Sequence, residues 1–295
     1  MNSLLKNAYH VASLVLPAQM TQRDELAVDL AESIDPIAAG DPGLDPTPFL
    51  PKPSGLYKVL KQPIATRRPW IQSLVNEVKG LVKDRGAFKK EQPGPNDTAV
   101  PVKAVFKCKL DQHDNVDKLK ACIIFKGDLY TPTTDFDSWN PHAMWPSLQL
   151  YIAMCAKFGI YPSQADHVMA YCQVNMKERV FVQLPSYWAV HMPDDLKSYC
   201  GVPLLLMKAL YGYTFSGKFL YEEQEEFLIS FGMQSTPMPA LWCMHLPGGG
   251  VLLVLQYYWD NFLIASTNAI IKSKFKTALS TRFEIEWKPY ADWFL

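Results

Sequence analysis

From Trp70 to Val82 the apolar residues recur at helical spacing. Trp70, Ile71, Leu74, Val75, Val78, Leu81 and Val82 form one stripe, with Asn76, Lys79 and Lys83 on the polar side. Arg85-Gly86 supplies a stop. At Val102 the period changes to two. Val102, Ala104, Phe106, Cys108 and Leu110 alternate with Lys103, Val105, Lys107 and Lys109, which predicts a half-buried strand whose lysines face water. A turn is expected over 111–115, then a second strand over 118–125. Helical spacing returns at 147–158 through Leu148, Tyr151, Ile152, Cys155 and Phe158. It returns again at 216–231 through Leu220, Phe227, Leu228 and Phe231, with Glu222, Glu223, Glu225 and Glu226 opposite, and at 269–282 through Ile271, Phe275, Ala278 and Leu279. Short apolar runs at 251–258 and 262–265 flank Trp259-Asp260-Asn261, and Phe283, Ile285 and Trp287 alternate as a closing strand. Helices mixed with antiparallel pairs place the chain in the α+β class.

Residues 1–68 carry no sustained period, and prolines crowd from Pro36 to Pro63. This stretch reads as an acidic, Pro-rich linker or tail, poorly ordered, with the folded body at 69–295. Charge supports the division. The 295-residue chain is formally neutral, yet residues 1–50 hold Lys6 and Arg23 against seven carboxylates, a net of −5, so the remainder carries +5. A mildly basic body is the minimum that a phosphate backbone asks for. The six cysteines form no CxxC pair, which excludes a zinc ribbon or a thioredoxin-type motif and reads as reduced, mostly buried thiols. The longest apolar run is far too short to span a bilayer, and 8–16 makes a poor signal peptide, so neither membrane nor secretion is expected.

Two aspartates stand out. Asp260 sits between two apolar runs, where a hairpin would project it at its tip; an ordinary Asp-Asn turn explains the same residues. Asp166 follows an apolar helix in Gln164-Ala165-Asp166 and taken alone is only a carboxylate near an element end. Together, on adjacent strands, two carboxylates could hold divalent cations for nucleotidyl transfer. Hard oxygen donors suit Mg²⁺, which keeps water and substrate phosphate as its other ligands.

The order of short motifs narrows this. Val105-Phe106-Lys107-Cys108-Lys109 and Lys118-Leu119-Lys120-Ala121 are followed by Gln164-Ala165-Asp166 with Ala170-Tyr171, then by Glu178 to Pro185. Ala209-Leu210-Tyr211-Gly212 with Ser216-Gly217-Lys218, Tyr258-Trp259-Asp260-Asn261 and Asp292-Trp293-Phe294-Leu295 complete the series. In this order the segments resemble the reverse transcriptase of copia-type retrotransposons, with its fingers hairpin, QxDxxxAY segment, LYG helix start and YVDD hairpin. The resemblance implies a polymerase palm and fingers with the thumb largely missing. It implies Asp166, Asp260 and Asn261 at the catalytic position, with Asp166 and Asp260 as ligands of Mg²⁺, for which Mn²⁺ can substitute. It implies that Tyr171 packs under the sugar and rejects a ribose 2′-hydroxyl, and that Lys118, Lys120 and Lys218 meet the nucleotide's phosphates; a solvated strand face explains Lys118 and Lys120 equally well. The implied partners are an RNA or DNA primer–template and deoxynucleotides. RNase H and integrase regions belong to the expected parent polyprotein and are absent here. The implied setting is intracellular, in the cytoplasm, a virus-like particle or the nucleus.

The chain departs from the family at four places. Asn261 replaces the second aspartate of the YVDD pair, and Cys122 stands where Lys-Ala-Arg is usual. Phe215 replaces a frequent glutamine after LYG, and Trp259 is bulky where the family has a β-branched residue. An amide can ligate through its oxygen but brings no charge, and a thiol cannot grip phosphate as a guanidinium does. Two readings of function therefore stand: an RNA-directed DNA polymerase, or a silent copy that keeps the fold and at most binds nucleic acid. A structural protein with an incidental likeness would require Asp166 and Asp260 to lie far apart.

Overall fold

The alternation of apolar strands and amphipathic helices is realised over residues 39–44, 49, 52–110, 113–132 and 141–291, which the computed structural model describes. In chain order these give strand β1 (Ala39–Leu44), helices α1 (Leu56–Leu60) and α2 (Ile64–Lys79), and strands β2 (Phe88–Lys90), β3 (Ala99–Leu110) and β4 (Val116–Phe125). Helix α3 (Trp145–Phe158), β5 (Ser163–His167), β6 (Phe181–Gln183), β7 (Pro203–Leu206) and α4 (Ser216–Ser230) follow. The chain continues through β8 (Gln234–Ser235), β9 (Leu241–Leu246), β10 (Gly250–Tyr258), β11 (Asn261–Ser266), α5 (Ala269–Arg282) and β12 (Ile285–Lys288). The α+β expectation holds. No helix among the described residues is long and apolar enough to cross a membrane.

The contacts divide the described chain into two units. One holds 141–170 and 220–291, and the other holds the residues between 39 and 132 with 171–219. The first, the aspartate unit, is built on a sheet of order β12-β5-β11-β10-β9-β8, antiparallel at every pairing. Both of its faces are covered. On one, Leu148, Tyr151 and Cys155 of α3 meet Val251, Leu253 and Leu255 of β10 and Leu263 of β11. On the other, Phe227 and Leu228 of α4 and Phe275 and Leu279 of α5 meet Leu252, Val254, Phe262 and Ile264. A strand buried on both faces reads as a continuous apolar run, which is why 251–258 shows no alternation. The register brings Asn261 of β11 opposite Asp166 of β5.

The second, the hairpin unit, is a sheet of order β1-β4-β3-β6-β7-β2, in which β3 and β6 run parallel. Its long β3–β4 hairpin pairs Lys107 with Lys120 and Val105 with Cys122. The hairpin departs from expectation. Lys107 and Lys120, expected on a wet face, are only 7% and 1% exposed. Helix α2 packs on β4 and brings Glu77 beside Lys120. Burial pushes the Glu77 carboxyl up to about 7, with Lys120 pulling it back. A period of two assigns lysines to one face; it does not say what will cover that face.

Helical structure also begins earlier than the sequence suggested. α1 and the start of α2 precede residue 69, and Pro69 lies inside α2, where it removes one backbone donor. β1 adds a strand beside β4 from within the acidic stretch. The expectations for residues 1–38 and for 292–295 lie outside the described residues. The helices expected at 147–158, 216–231 and 269–282 are found as α3, α4 and α5, each within two residues at either end.

The LYG segment shows why its glycine is needed. Phe125, at the end of β4, donates its N–H to the Tyr211 carbonyl at 2.7 Å. Gly212 then passes so close that a Cβ there would collide with the Phe125 carbonyl oxygen, and its φ is +84°. Both the space and the conformation exclude a side chain. Gly212→Ala is expected to lower unfolding free energy by more than about 3 kcal/mol, measured by urea denaturation. Gly55→Ala, where nothing lies within 4 Å of the added methyl, is the matched control, with a change under about 1 kcal/mol.

Candidate functional site

The aspartates are placed by strand pairing. β10 and β11 meet through the pair Tyr258 and Asn261, leaving Trp259 and Asp260 as a two-residue turn. β5 runs antiparallel beside β11, so Asp166 faces Asn261 directly. Directly opposed residues of such a pair have Cα atoms about 4.5–5.5 Å apart. Asp260 precedes Asn261, so both aspartates and Asn261 gather at one end of the sheet. Asp260 is 4% exposed, and the Asp166 side chain is 22% exposed.

A chain of hydrogen bonds joins them. The Gln164 amide donates from Nε2 to Asp166 Oδ1 at 2.7 Å and to Asn261 Oδ1 at 2.8 Å. Asn261 Nδ2 then donates to Asp260 Oδ1 at 2.8 Å. Both oxygens facing Gln164 are acceptors, so only its NH₂ end can serve there. Asn261 both accepts and donates, which a carboxylate at this position could not do. On the outer side, Lys288 of β12 places its ammonium 3.0 Å from Asp166 Oδ2. Two neutral amides in series, Gln164 and Asn261, thus link the two carboxylates, while a lysine neutralises one of them.

The turn is held from beneath by buried polar groups that the sequence did not flag. The Asp260 carbonyl accepts two hydrogen bonds from His167, one from the backbone N–H and one from ring Nδ1, each 2.8 Å. A carbonyl can only accept, so Nδ1 carries the proton and Nε2 is left as acceptor. Gln224 of α4 lies 3.4 Å from that Nε2 and donates to the Trp259 carbonyl at 2.9 Å. Gln224 Oε1 accepts from Gln256 of β10 at 3.0 Å, whose own Oε1 accepts from Trp242 Nε1 at 2.8 Å. His167, Gln224, Gln256 and Trp242 are all buried. Burial holds the His167 pKa down at about 4, so the ring is neutral near pH 7. The available signal was polarity out of place: Gln224 interrupts the stripe between Leu220 and Leu228, and Gln256 interrupts an apolar run.

The remaining residues singled out in the sequence lie in the hairpin unit. Tyr171 is buried, and its ring packs edge-on against Tyr211 with centroids 4.6 Å apart, so two sequence motifs meet there. Lys118 is half-buried on β4, and Lys218 is half-buried in the first turn of α4. Lys120 is in the core beside Glu77, which corrects its placement on a solvated strand face. Cys122 is buried with its thiol pushed up to about 12, so it stays protonated.

Asp166 and Asp260 bring the hard oxygen donors that a cation such as Mg²⁺ takes. The donor type therefore fits such an ion. The charge is low, because position 261 is neutral and Asp166 is ion-paired. Among the described residues no cluster of three or more His, Cys, Asp or Glu side chains forms a cation cage.

The sequence profile of the family described as "Reverse transcriptase (RNA-dependent DNA polymerase)" matches residues 91–295. The chain is similar to the "Retrovirus-related Pol polyprotein from transposon RE2" of Arabidopsis thaliana, 21% identical over 219 residues. It is similar also to the "Retrovirus-related Pol polyprotein from transposon TNT 1-94" of Nicotiana tabacum, 22% identical over 241 residues. These alignments cover 74% and 80% of the chain but 14% and 17% of the two polyproteins.

The buried amides should matter to the whole aspartate unit. Gln224→Leu strips a donor from the Trp259 carbonyl and from His167 Nε2, and leaves Gln256 without its acceptor. A loss of about 2–4 kcal/mol in unfolding free energy is expected. Urea denaturation of both proteins measures it, and a change under about 0.5 kcal/mol would mean that the network carries little weight.

Proposed function

The chain belongs to the copia-type reverse transcriptase (RNA-dependent DNA polymerase) family, and from that premise we propose that it is the polymerase module of a retrotransposon polyprotein. In this reading it adds deoxynucleotides to a primer on an RNA template. The aspartate unit serves as the palm and the hairpin unit as the fingers. The observation that carries the reading is the register of β5 on β11, which sets Asp166 beside the turn bearing Asp260. An incidental likeness would have left the two aspartates apart.

The family generally uses divalent metals such as Mg²⁺. Asp166 and Asp260 would hold such ions, which when bound lower the pKa of the primer hydroxyl and offset charge on the triphosphate. The chain's own residues do the positioning. His167 and Gln224 fix the backbone of the Trp259-Asp260 turn, so the Asp260 carboxylate starts from a set place. Asn261 supplies an oxygen donor in place of a charged one. Tyr171, held against Tyr211, is the residue proposed to exclude a ribose 2′-hydroxyl. Lys118, Lys120 and Lys218 are the proposed phosphate contacts, of which Lys120 is buried here. Primer–template, deoxynucleotides and neighbouring RNase H and integrase regions of a parent polyprotein are the proposed partners. An intracellular setting follows from the same reading.

A second reading, a silent copy of the module, draws on Asn261 and on the ion pair that occupies Asp166. Both features weaken cation binding. Primer extension on an RNA template separates the two. The wild type is expected to extend slowly with Mg²⁺ and faster with Mn²⁺. Asn261→Asp should raise the Mg²⁺ rate by roughly tenfold or more, while Asp166→Asn and Asp260→Asn should abolish extension. If neither the wild type nor Asn261→Asp extends with either metal, the polymerase reading fails.

A further inference from the structure

We propose that Lys288 governs cation binding at Asp166: its ammonium occupies the carboxylate oxygen that an incoming divalent cation would take, so the ion must displace it. This rests on the reading of Asp166 and Asp260 as cation ligands and adds to it a residue that sets their affinity.

The argument starts from register. β12 lies against the free side of β5, with Lys288 opposite Gln164 and Glu286 opposite Asp166. Side chains two apart on one strand share a face, so Gln164, Asp166, Glu286 and Lys288 all project on the same side as Asn261. Lys288 reaches diagonally to Asp166 Oδ2 at 3.0 Å. The other oxygen, Oδ1, is taken by Gln164. Both oxygens of Asp166 are therefore engaged without any cation. A carboxylate with a lysine on one oxygen and an amide on the other resembles a liganded carboxylate in charge and hydrogen bonding.

The charges around the group decide the direction of the effect. Asp166 and Asp260 bring two negative charges and Asn261 brings none. Glu286, exposed on β12, adds a third across the strand pair, and Lys288 adds one positive charge. An ammonium on Oδ2 repels an approaching dication and must also leave its partner. Its side chain is 47% exposed, so the pair is loose enough to open, and the penalty is modest and reduced by salt. Removing the ammonium leaves Asp166 with an open oxygen and takes a positive charge away from the carboxylates of Asp166 and Glu286. Both changes favour a cation.

Mn²⁺ binding to the full chain, followed by the loss of free-ion electron paramagnetic resonance signal at low salt, tests this without reference to activity. Lys288→Met is expected to tighten the Mn²⁺ dissociation constant by about three- to tenfold, and Lys288→Arg to leave it near the wild type. Lys274→Met, an exposed lysine on α5, removes the same charge elsewhere and should change it less than about twofold. The gain should vanish in Asp166→Asn/Lys288→Met. Asn261→Asp keeps the two layers of the argument apart. If Asn261→Asp binds Mn²⁺ more tightly than the wild type but Lys288→Met does not, the site reading survives and the role of Lys288 is overturned. If no variant binds Mn²⁺, both are overturned. An equal gain in Lys274→Met would also overturn the proposal, since net charge alone would then account for it.

Discussion

Two hydrogen bonds from His167 to the carbonyl of Asp260 hold the turn that carries this aspartate. A two-residue turn at the end of an apolar hairpin has few partners of its own. Here the sheet is covered on both faces, so water cannot satisfy the inner side of the turn. The carbonyls of Trp259 and Asp260 need protein donors, and these come from a neighbouring strand and a helix. Burial makes this a demanding arrangement. Each donor that is lost leaves an acceptor stranded in an apolar wall, which is why His167 must stay neutral and why Gln224 and Gln256 lie where apolar residues would otherwise be.

Above this clamp, the two carboxylates present a different problem. Like charges at one end of a sheet repel, and a bound cation is the usual remedy. This chain contains two others. Asn261 offers a neutral amide that bonds to both sides, and Lys288 offers a cation on a flexible stem. Both make the cation-free arrangement comfortable. By the same physics, both reduce what a divalent ion gains by binding. The contrast with the hairpin unit is instructive. There a lysine was expected to meet solvent, and Lys120 is instead enclosed beside Glu77, so a positive charge in the sequence is not a positive surface in the fold.

Element type and the family motifs were legible in the sequence. The period of the hydrophobic residues gives α3, α4 and α5 nearly residue for residue, and it gives both strands of the β3–β4 and β10–β11 hairpins, but not β5 or β9. Asp260 stood out because a carboxylate between apolar runs has no packing reason to be there, and Asp166 stood out only beside it and through the order of the motifs. The start of α2 was not, because Pro69 and its proline-rich approach mimic a boundary that the helix runs through. Gln224 and Gln256 escaped notice because single amides in apolar stripes look like tolerated exceptions until their partners are known.

What the sequence by itself determined is local: periodicity, turn chemistry, and the order of motifs that marks descent. These are set by neighbours within a few residues, and the chain carries them wherever it folds. What only the tertiary structure decided is which distant side chains share a face. That Asn261 faces Asp166, that Lys288 caps one oxygen of it, and that His167 proton-donates to Asp260 all follow from strand register. A shift of one residue in that register would turn every one of these side chains to the other face of the sheet.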